Sequence, residues 1–395
     1  MAHNVMKKIS ILSVSLVVVS GGAIGANIPA MAETFPNVPL SLVEMLTTIP
    51  ALFIIPAVLI STKIAKYLGY KTTVLLGLSI VLISGIVPAV STNFILILIS
   101  RACFGFGVGL FNSLLVSLIR YFYQGNERAT TIGFQSAFEG IGGMSLTFVV
   151  GQLLKISWQT SFWVYLFVLP IILFVVLFVP SVSEKDIQLV HGERMTKGTP
   201  KENKQKEGSM SWLAFSGYIV LLIIVVCMYM SITVKGTLLM TTLGYGNATD
   251  GSNIMALIGV GAMTAGFSFG YVFKITQRWT MPLVFLVMSG AMVLIGISTS
   301  VFLTGVGAVA CGFSFRLFIP YLFSQINNGA SSQASFRTSL LLVGFNIGSA
   351  FSPYGIALID SVSVFDTVRG TFFSEAIILL FLSLLTTVIT LRQKK

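Results

Sequence analysis

A chain of 395 residues that is 55% hydrophobic and 9% charged, with a mean hydropathy of +0.93, has too little polar surface to fold as a water-soluble domain. Its formal charge of +11 sits mainly in alternate loops between apolar stretches, a topological bias rather than a nucleic-acid footprint. The two histidines, His3 and His191, lie outside those stretches, and no Ser-His-Asp, metal-ligand or phosphate-loop pattern appears in a supporting context, so neither enzymatic chemistry nor a bound cofactor is expected.

Apolar stretches of roughly 20 residues, enough to cross a hydrocarbon core, recur along the whole chain. In the first half they predict membrane helices over 9–30, 41–61, 72–91, 94–120, 129–154 and 160–180. In the second half they predict helices over 211–236, 251–273, 281–300, 302–326, 334–358 and 370–391. The N-terminal stretch imitates a cleavable leader, with Lys7-Lys8, the run Ile9 to Val19 and Ala30-Met31-Ala32. A counterpart around Val225 to Thr241 makes it the first span instead. Gly21-Gly22, Pro50, Pro56, Gly142-Gly143 and Pro353 interrupt the spans, which a membrane bundle tolerates.

The two halves repeat each other. Sliding the chain so that Val17-Val18-Val19 falls on Val225-Val226-Cys227 also lays Lys66 on Lys274 and Asn27 on Lys235, and one residue short of that offset Gly105-Phe106 falls on Gly312-Phe313. The expected fold is therefore an all-α membrane protein of twelve transmembrane helices in two pseudo-symmetric six-helix bundles, residues 1–180 and 211–395. A polar linker over 181–210 joins them, carrying Glu184, Lys185, Asp186, Arg194, Lys197, Lys201, Lys204 and Lys206. Duplicated bundles place their binding site between the halves near the bilayer midplane.

Basic residues set the orientation, because cytoplasmic loops carry the excess of Lys and Arg. Lys7, Lys8, Lys63, Lys66, Lys71, Arg120, Arg128, Lys274, Arg278, Arg337, Arg392, Lys394 and Lys395 fall on one side. Glu33, Asp250, Asp360 and Asp366 fall on the other with only Lys155 and Arg369. A multi-pass protein of the cytoplasmic membrane with both termini inside is expected. Cys103, Cys227 and Cys311 all lie within spans as small core residues.

The fourth span contains Arg101-Ala102-Cys103-Phe104-Gly105-Phe106-Gly107-Val108-Gly109, which resembles the fourth-helix motif of the major facilitator superfamily (MFS), with Phe104 in place of the usual Gln. The loop after the second span is similar to a second family motif but has Thr62 and Lys66 where a glycine and an acid are usual, keeping Gly69 and Lys71. The Gly-Pro signature of drug/proton antiporters is absent near Gly142-Gly143. The resemblance covers essentially the whole chain and implies alternating access, with the first, fourth, seventh and tenth helices lining a central cavity.

Ionisable groups within spans cost at least ~2.5–3.5 kcal/mol on insertion scales and persist with a partner or a purpose. Arg101 in the fourth span and Glu139 in the fifth are candidates for a buried pair. Lys235 in the seventh and Arg316 in the tenth have no comparably placed acid in their own half, and Glu139 reads as the only mid-membrane carboxyl, with Glu44 at the edge of the second span as a further acid. Arg101, Lys235 and Arg316 are therefore candidate counter-charges for a small or amphipathic organic anion. Asn27, Asn112, Gln135 and Asn346 are candidate hydrogen-bonding ligands and Glu139 the proton-coupling group. The expected partners are a small-molecule substrate, protons and the lipid bilayer, for a chain working as a monomer. Efflux of lipophilic drugs is the alternative, and a sensor or scaffold without transport is a lesser one.

Overall fold

The computed structural model describes residues 2–123, 125–182, 212–327, 331–363 and 368–392. From residue 183 onward the expected linker lies outside the described residues, as do Asp366, Lys394 and Lys395. The rest is helical apart from short turns and loops, and every expected span has a counterpart. The first is interrupted, running as Ala2–Val18, a 3-10 segment Ser20–Asn27 and Ile28–Thr34. The second to fifth are Leu40–Leu68, Tyr70–Val90, Phe94–Phe122 and Gly125–Leu153, and the sixth is built from Trp158–Ser161, the 3-10 segment Phe162–Phe167 and Val168–Phe178. The seventh to tenth are Trp212–Thr242, Ala248–Thr276, Thr280–Ile297 and Val301–Asn327. The eleventh is broken into Ser331–Ala350 and Ser352–Val362, and the twelfth is Gly370–Arg392.

Among the described residues, nine stretches are long and apolar enough to cross a membrane, and the broken eleventh span, bent by 58°, makes a tenth. The eighth and ninth spans run as one stretch, Ala248–Ile297, through the short 3-10 turn Gln277–Trp279. The fifth, Gly125–Leu153, is not among these stretches.

Close helix approach rests on glycines that the duplication places at matched positions. A Cβ on Gly105 would collide with the carbonyl of Pro50 in the second span, and one on Gly312 with the carbonyl of Ile258 in the eighth. Gly109 continues the first contact against Ala57 and Ile54, while Gly107 faces Gly77 of the third span. Small residues four apart let helix backbones touch where lipid offers no hydrophobic drive to association. Gly69 has another task. It stands at φ +85° in the turn between the second and third spans, a conformation that strains any residue with a Cβ.

The chain divides into two compact units. One comprises Met1–Gly21, Ile49–Gly143 and Gln159–Glu207; the other comprises Gly22–Thr48, Met144–Trp158 and Gly208–Lys395. The second unit thus contains the second half of the repeat together with three pieces of the first: the end of the first span, the start of the second and the end of the fifth. Its core is a continuous cluster through the seventh to twelfth spans, including Phe285 against Phe318 with centroids 5.5 Å apart.

The matched glycines make a direct test of the duplication at the level of packing. Gly105→Ala and Gly312→Ala should each cost about 1–3 kcal/mol, the usual penalty for overpacking, and lower the thermal midpoint of the detergent-purified protein. Unchanged midpoints in both variants would contradict the close approach.

Candidate functional site

In the first unit the break in the first span determines the surroundings of Arg101. A 3-10 stretch disturbs the regular i→i−4 ladder and leaves carbonyls in need of donors inside a membrane. Arg101 Nη2 donates to the carbonyl of Gly21 at 2.8 Å, and the Tyr165 hydroxyl donates to that of Ser20 at 3.0 Å. Arg101 Nη1 reaches the Tyr165 hydroxyl at 3.4 Å, and the guanidinium carbon lies 4.5 Å from the centre of the Phe104 ring. The side chain is fully buried, and ring face, hydroxyl and carbonyl dipoles together solvate its charge. Phe104, which replaces the usual Gln of the family motif, therefore acts as one wall of the arginine's cage.

In the second unit the seventh span presents Cys227, Ser231 and Lys235 at four-residue spacing, which aligns them on one helix face. Lys235 Nζ lies 3.0 Å from Glu44 Oε1 and 3.8 Å from Asp360 Oδ2. The Glu44 side chain is 1% exposed and that of Lys235 13%. Asp360 Oδ1 accepts a 2.6 Å hydrogen bond from Thr371 Oγ1 at the start of the twelfth span. One turn from Lys235, Ser231 Oγ lies 2.7 Å from Glu375 Oε2, and Glu375 is fully enclosed. Cys227 Sγ meets the carbonyl of Ser352 at 3.6 Å, and Thr48 Oγ1 donates to that of Ala350 at 3.0 Å. Those two carbonyls flank the break in the eleventh span.

Glu44 and Thr48 belong to the first half of the repeat, so these bonds knit first-half residues into the second unit. Further contacts do the same. Ile28 joins Val234 and Ile356 in a small apolar cluster, and Ser252 Oγ donates to the carbonyl of Thr147.

The remaining candidates are dispersed. Asn27 is fully buried at the end of the 3-10 segment. Gln135 is buried and its Nε2 donates to Glu139 Oε1 at 3.2 Å, within the half-buried face of the fifth span. Asn112 is half-buried, and Asn346 returns its amide to the carbonyl of Leu342 at 2.8 Å. Arg316 is exposed, and among the described residues it enters no ion pair. Beside it Phe315 stacks on Tyr229, with centroids 3.8 Å apart and planes at 9°.

The profile of the Major Facilitator Superfamily matches residues 11–353. The chain belongs to this family. No curated protein sequence matches it. Solved structures of other MFS proteins share the fold at low identity. The human organic anion transporter MFSD10 (TETRAN) is 15% identical with a TM-score of 0.64 over 98% of this chain and 100% of that one. The inward-open xylose transporter XylE from E. coli is 14% identical with a TM-score of 0.70 over 97% and 95%. A peptide transporter, POT, solved with alafosfalin, is 11% identical with a TM-score of 0.72 over 98% and 94%. At these identities the likeness establishes the fold alone, the all-α membrane fold of two pseudo-symmetric bundles.

Two sequence expectations for this MFS chain are corrected. Lys235 does have an acid in its own half, Asp360, which the sequence placed in a loop past residue 358. The bent helix Ser352–Val362 carries it back to the seventh span. Nor is Glu139 the only deep carboxyl. Glu375, within the twelfth span, is wholly enclosed, whereas Glu139 is half-buried. The regular spacing of Cys227, Ser231 and Lys235 was the available signal of a polar helix face.

Removing one partner of a buried ion pair leaves the other uncompensated, at a cost of roughly 3–5 kcal/mol. Lys235→Ala should therefore lower the thermal midpoint sharply, and adding Glu44→Gln should recover much of the loss. A double variant no more stable than Lys235→Ala would count against the pair.

Proposed function

We propose that this transporter moves an amphipathic organic anion across the cytoplasmic membrane in exchange with, or together with, protons. Arg316 carries the proposal. It is a permanently charged guanidinium near the middle of a membrane helix, exposed, without an ion-pair partner among the described residues, and it stands next to an aromatic stack. Such a charge persists at membrane depth for a purpose. A guanidinium offers a planar fork that matches a carboxylate in bidentate fashion. Tyr229 and Phe345, both half-buried and packed on Phe315 with centroids 3.8 and 6.3 Å away, offer faces for the apolar part of the same solute.

Lys235 and Arg101 enter differently. In this arrangement Lys235 is neutralised by Glu44 and Asp360, so it meets an anion only when those contacts open. Arg101 is enclosed and holds the first span. Asn112 and Asn346 are placed to supply hydrogen bonds, with Asn27 and Gln135 as buried supports. Both termini face the cytoplasm, following the loop charges, and the chain works as a monomer. Its two six-span halves, 1–180 and 211–395, rock about the site, and the solute acts through its different affinity for the two states. Glu139, hydrogen-bonded by Gln135, is the proposed proton carrier.

Two measurements in proteoliposomes test this reading. Counterflow of an aromatic carboxylate such as benzoate should fall about 10- to 100-fold in Arg316→Gln, the value of a charge-assisted bond, with partial retention in Arg316→Lys. Unaltered counterflow in Arg316→Gln, or transport of tetraphenylphosphonium in place of carboxylates, would favour drug efflux instead. Accumulation driven by an imposed pH gradient should be lost in Glu139→Gln, and accumulation at the wild-type rate would remove that residue from the coupling step.

A further inference from the structure

Glu375 has no place in the reading just given, although it is the most completely enclosed carboxyl among the described residues of the second unit. Its surroundings pose a question of proton counting. Ser231 Oγ lies 2.7 Å from the carbonyl of Met228 and also 2.7 Å from Glu375 Oε2. A hydroxyl has one proton and two acceptor lone pairs. Both contacts are full hydrogen bonds when Ser231 donates to Met228 and accepts from a protonated Glu375. With an ionised carboxylate, a single proton would have to serve two acceptors. The second oxygen, Oε1, is buried with no hydrogen-bond partner among the described residues, the setting of a neutral C=O rather than of a carboxylate.

The groups facing Glu375 are few. The seventh span contributes Cys227 and Ser231, the tenth Cys311 and the end of the eleventh Asp360; Lys235 lies one helical turn beyond Ser231 and reaches Asp360 at 3.8 Å. The ninth span, Thr280–Ile297, has no ionisable side chain. Asp360 is tied by Thr371 to the same helix start that carries Glu375. The local charge count is thus one cation, Lys235, against Glu44 and Asp360, and a third acid changes it.

We propose that Glu375, partnered by Ser231, is a proton-binding site that controls the ion pairs of Lys235. This rests on the proton-coupled reading above and adds to it a site in the second half. With Glu375 protonated, Lys235 is shared by Glu44 and Asp360 and the first-half segment stays attached. Loss of the proton, taken up by water or a carried base as the unit opens, leaves a third negative charge beside the cluster. That charge repels Asp360 and competes for Lys235, and the bond to Glu44 weakens. Protons therefore favour the attached state, which becomes less populated as pH rises.

The test needs no solute. Spin labels are placed at Asn37, in the turn between the first and second spans, and at Thr242, at the end of the seventh, in a chain whose three native cysteines are replaced by alanine. Distances are then measured across a pH series in lipid nanodiscs. The short-distance population should decline as pH rises in the otherwise unaltered chain. Glu375→Gln, which cannot release a proton, should hold the short distance throughout, and Glu375→Asp should restore a pH response. Should Glu375→Gln not purify as a folded monodisperse species, Ser231→Ala serves instead and should displace the midpoint of the response by at least half a pH unit. A wild-type pH response in Glu375→Gln, an unmoved midpoint in Ser231→Ala, or a distance distribution insensitive to pH in the parent would overturn the proposal. Each of those outcomes leaves benzoate counterflow and its dependence on Arg316 untouched. Conversely, loss of the anion reading would leave the label distances as they stand.

Discussion

An ionised side chain at membrane depth needs an opposite charge or a ring of dipoles around it, and in this chain that requirement decides which helices are held together. Arg101 is solvated by the carbonyl of Gly21, the hydroxyl of Tyr165 and the ring of Phe104, so the fourth span, the sixth and the broken first span are fastened at one point. Lys235 is fastened between Glu44 and Asp360, which joins the start of the second span and the end of the eleventh to the seventh. Both sites lie at helix interruptions. Broken helices expose backbone groups that lipid cannot satisfy, and the same neighbourhoods supply the donors: Arg101 and Tyr165 for the first span, Thr48 and Cys227 for the eleventh.

The helical spans, the duplication and the glycine contacts were legible because each leaves a periodic or repeated mark. Gly105 and Gly312 could be paired from sequence alone, and they occupy equivalent close approaches to the second and eighth spans. The charged site was legible only in part. Lys235 stood out as a cation inside an apolar run, but its acids sit near helix ends, where sequence assigns them to loops or to span edges. Asp360 is recovered by a 58° bend that no periodicity announces, and Glu44 comes from the other half of the repeat. The expectation of excess cations followed directly from those missed partners. Arg316 was expected without an acid and has none among the described residues, which is why it now carries the anion proposal.

A carrier of this family works by making two arrangements of one chain nearly equal in free energy, so that differential binding of solute or ion tips the balance. In the proposed cycle the contacts exchanged are those that second-half residues make with first-half residues inside the second unit. Glu44, Thr48, Ile28 and Thr147 are all first-half residues bound to second-half partners. Their bonds are one ion pair, hydroxyl-to-carbonyl bonds and one small apolar cluster, not the continuous hydrophobic core that runs through the seventh to twelfth spans. A contact set of that kind can be broken and remade, whereas the core cannot without unfolding.

The central claim is that first-half residues separate from the second half in every cycle. A built Cβ at Gly259 in the eighth span lies 3.6 Å from the Cβ of Met144 in the fifth, within the usual disulfide range of roughly 3.5–4.5 Å. A Met144→Cys, Gly259→Cys chain, with the native cysteines removed, can therefore be closed by oxidation and reopened by reduction. Counterflow of benzoate, a solute of the proposed class, should stop in the fully cross-linked protein and return when the disulfide is reduced. Counterflow at the reduced rate in a quantitatively cross-linked sample would contradict the claim.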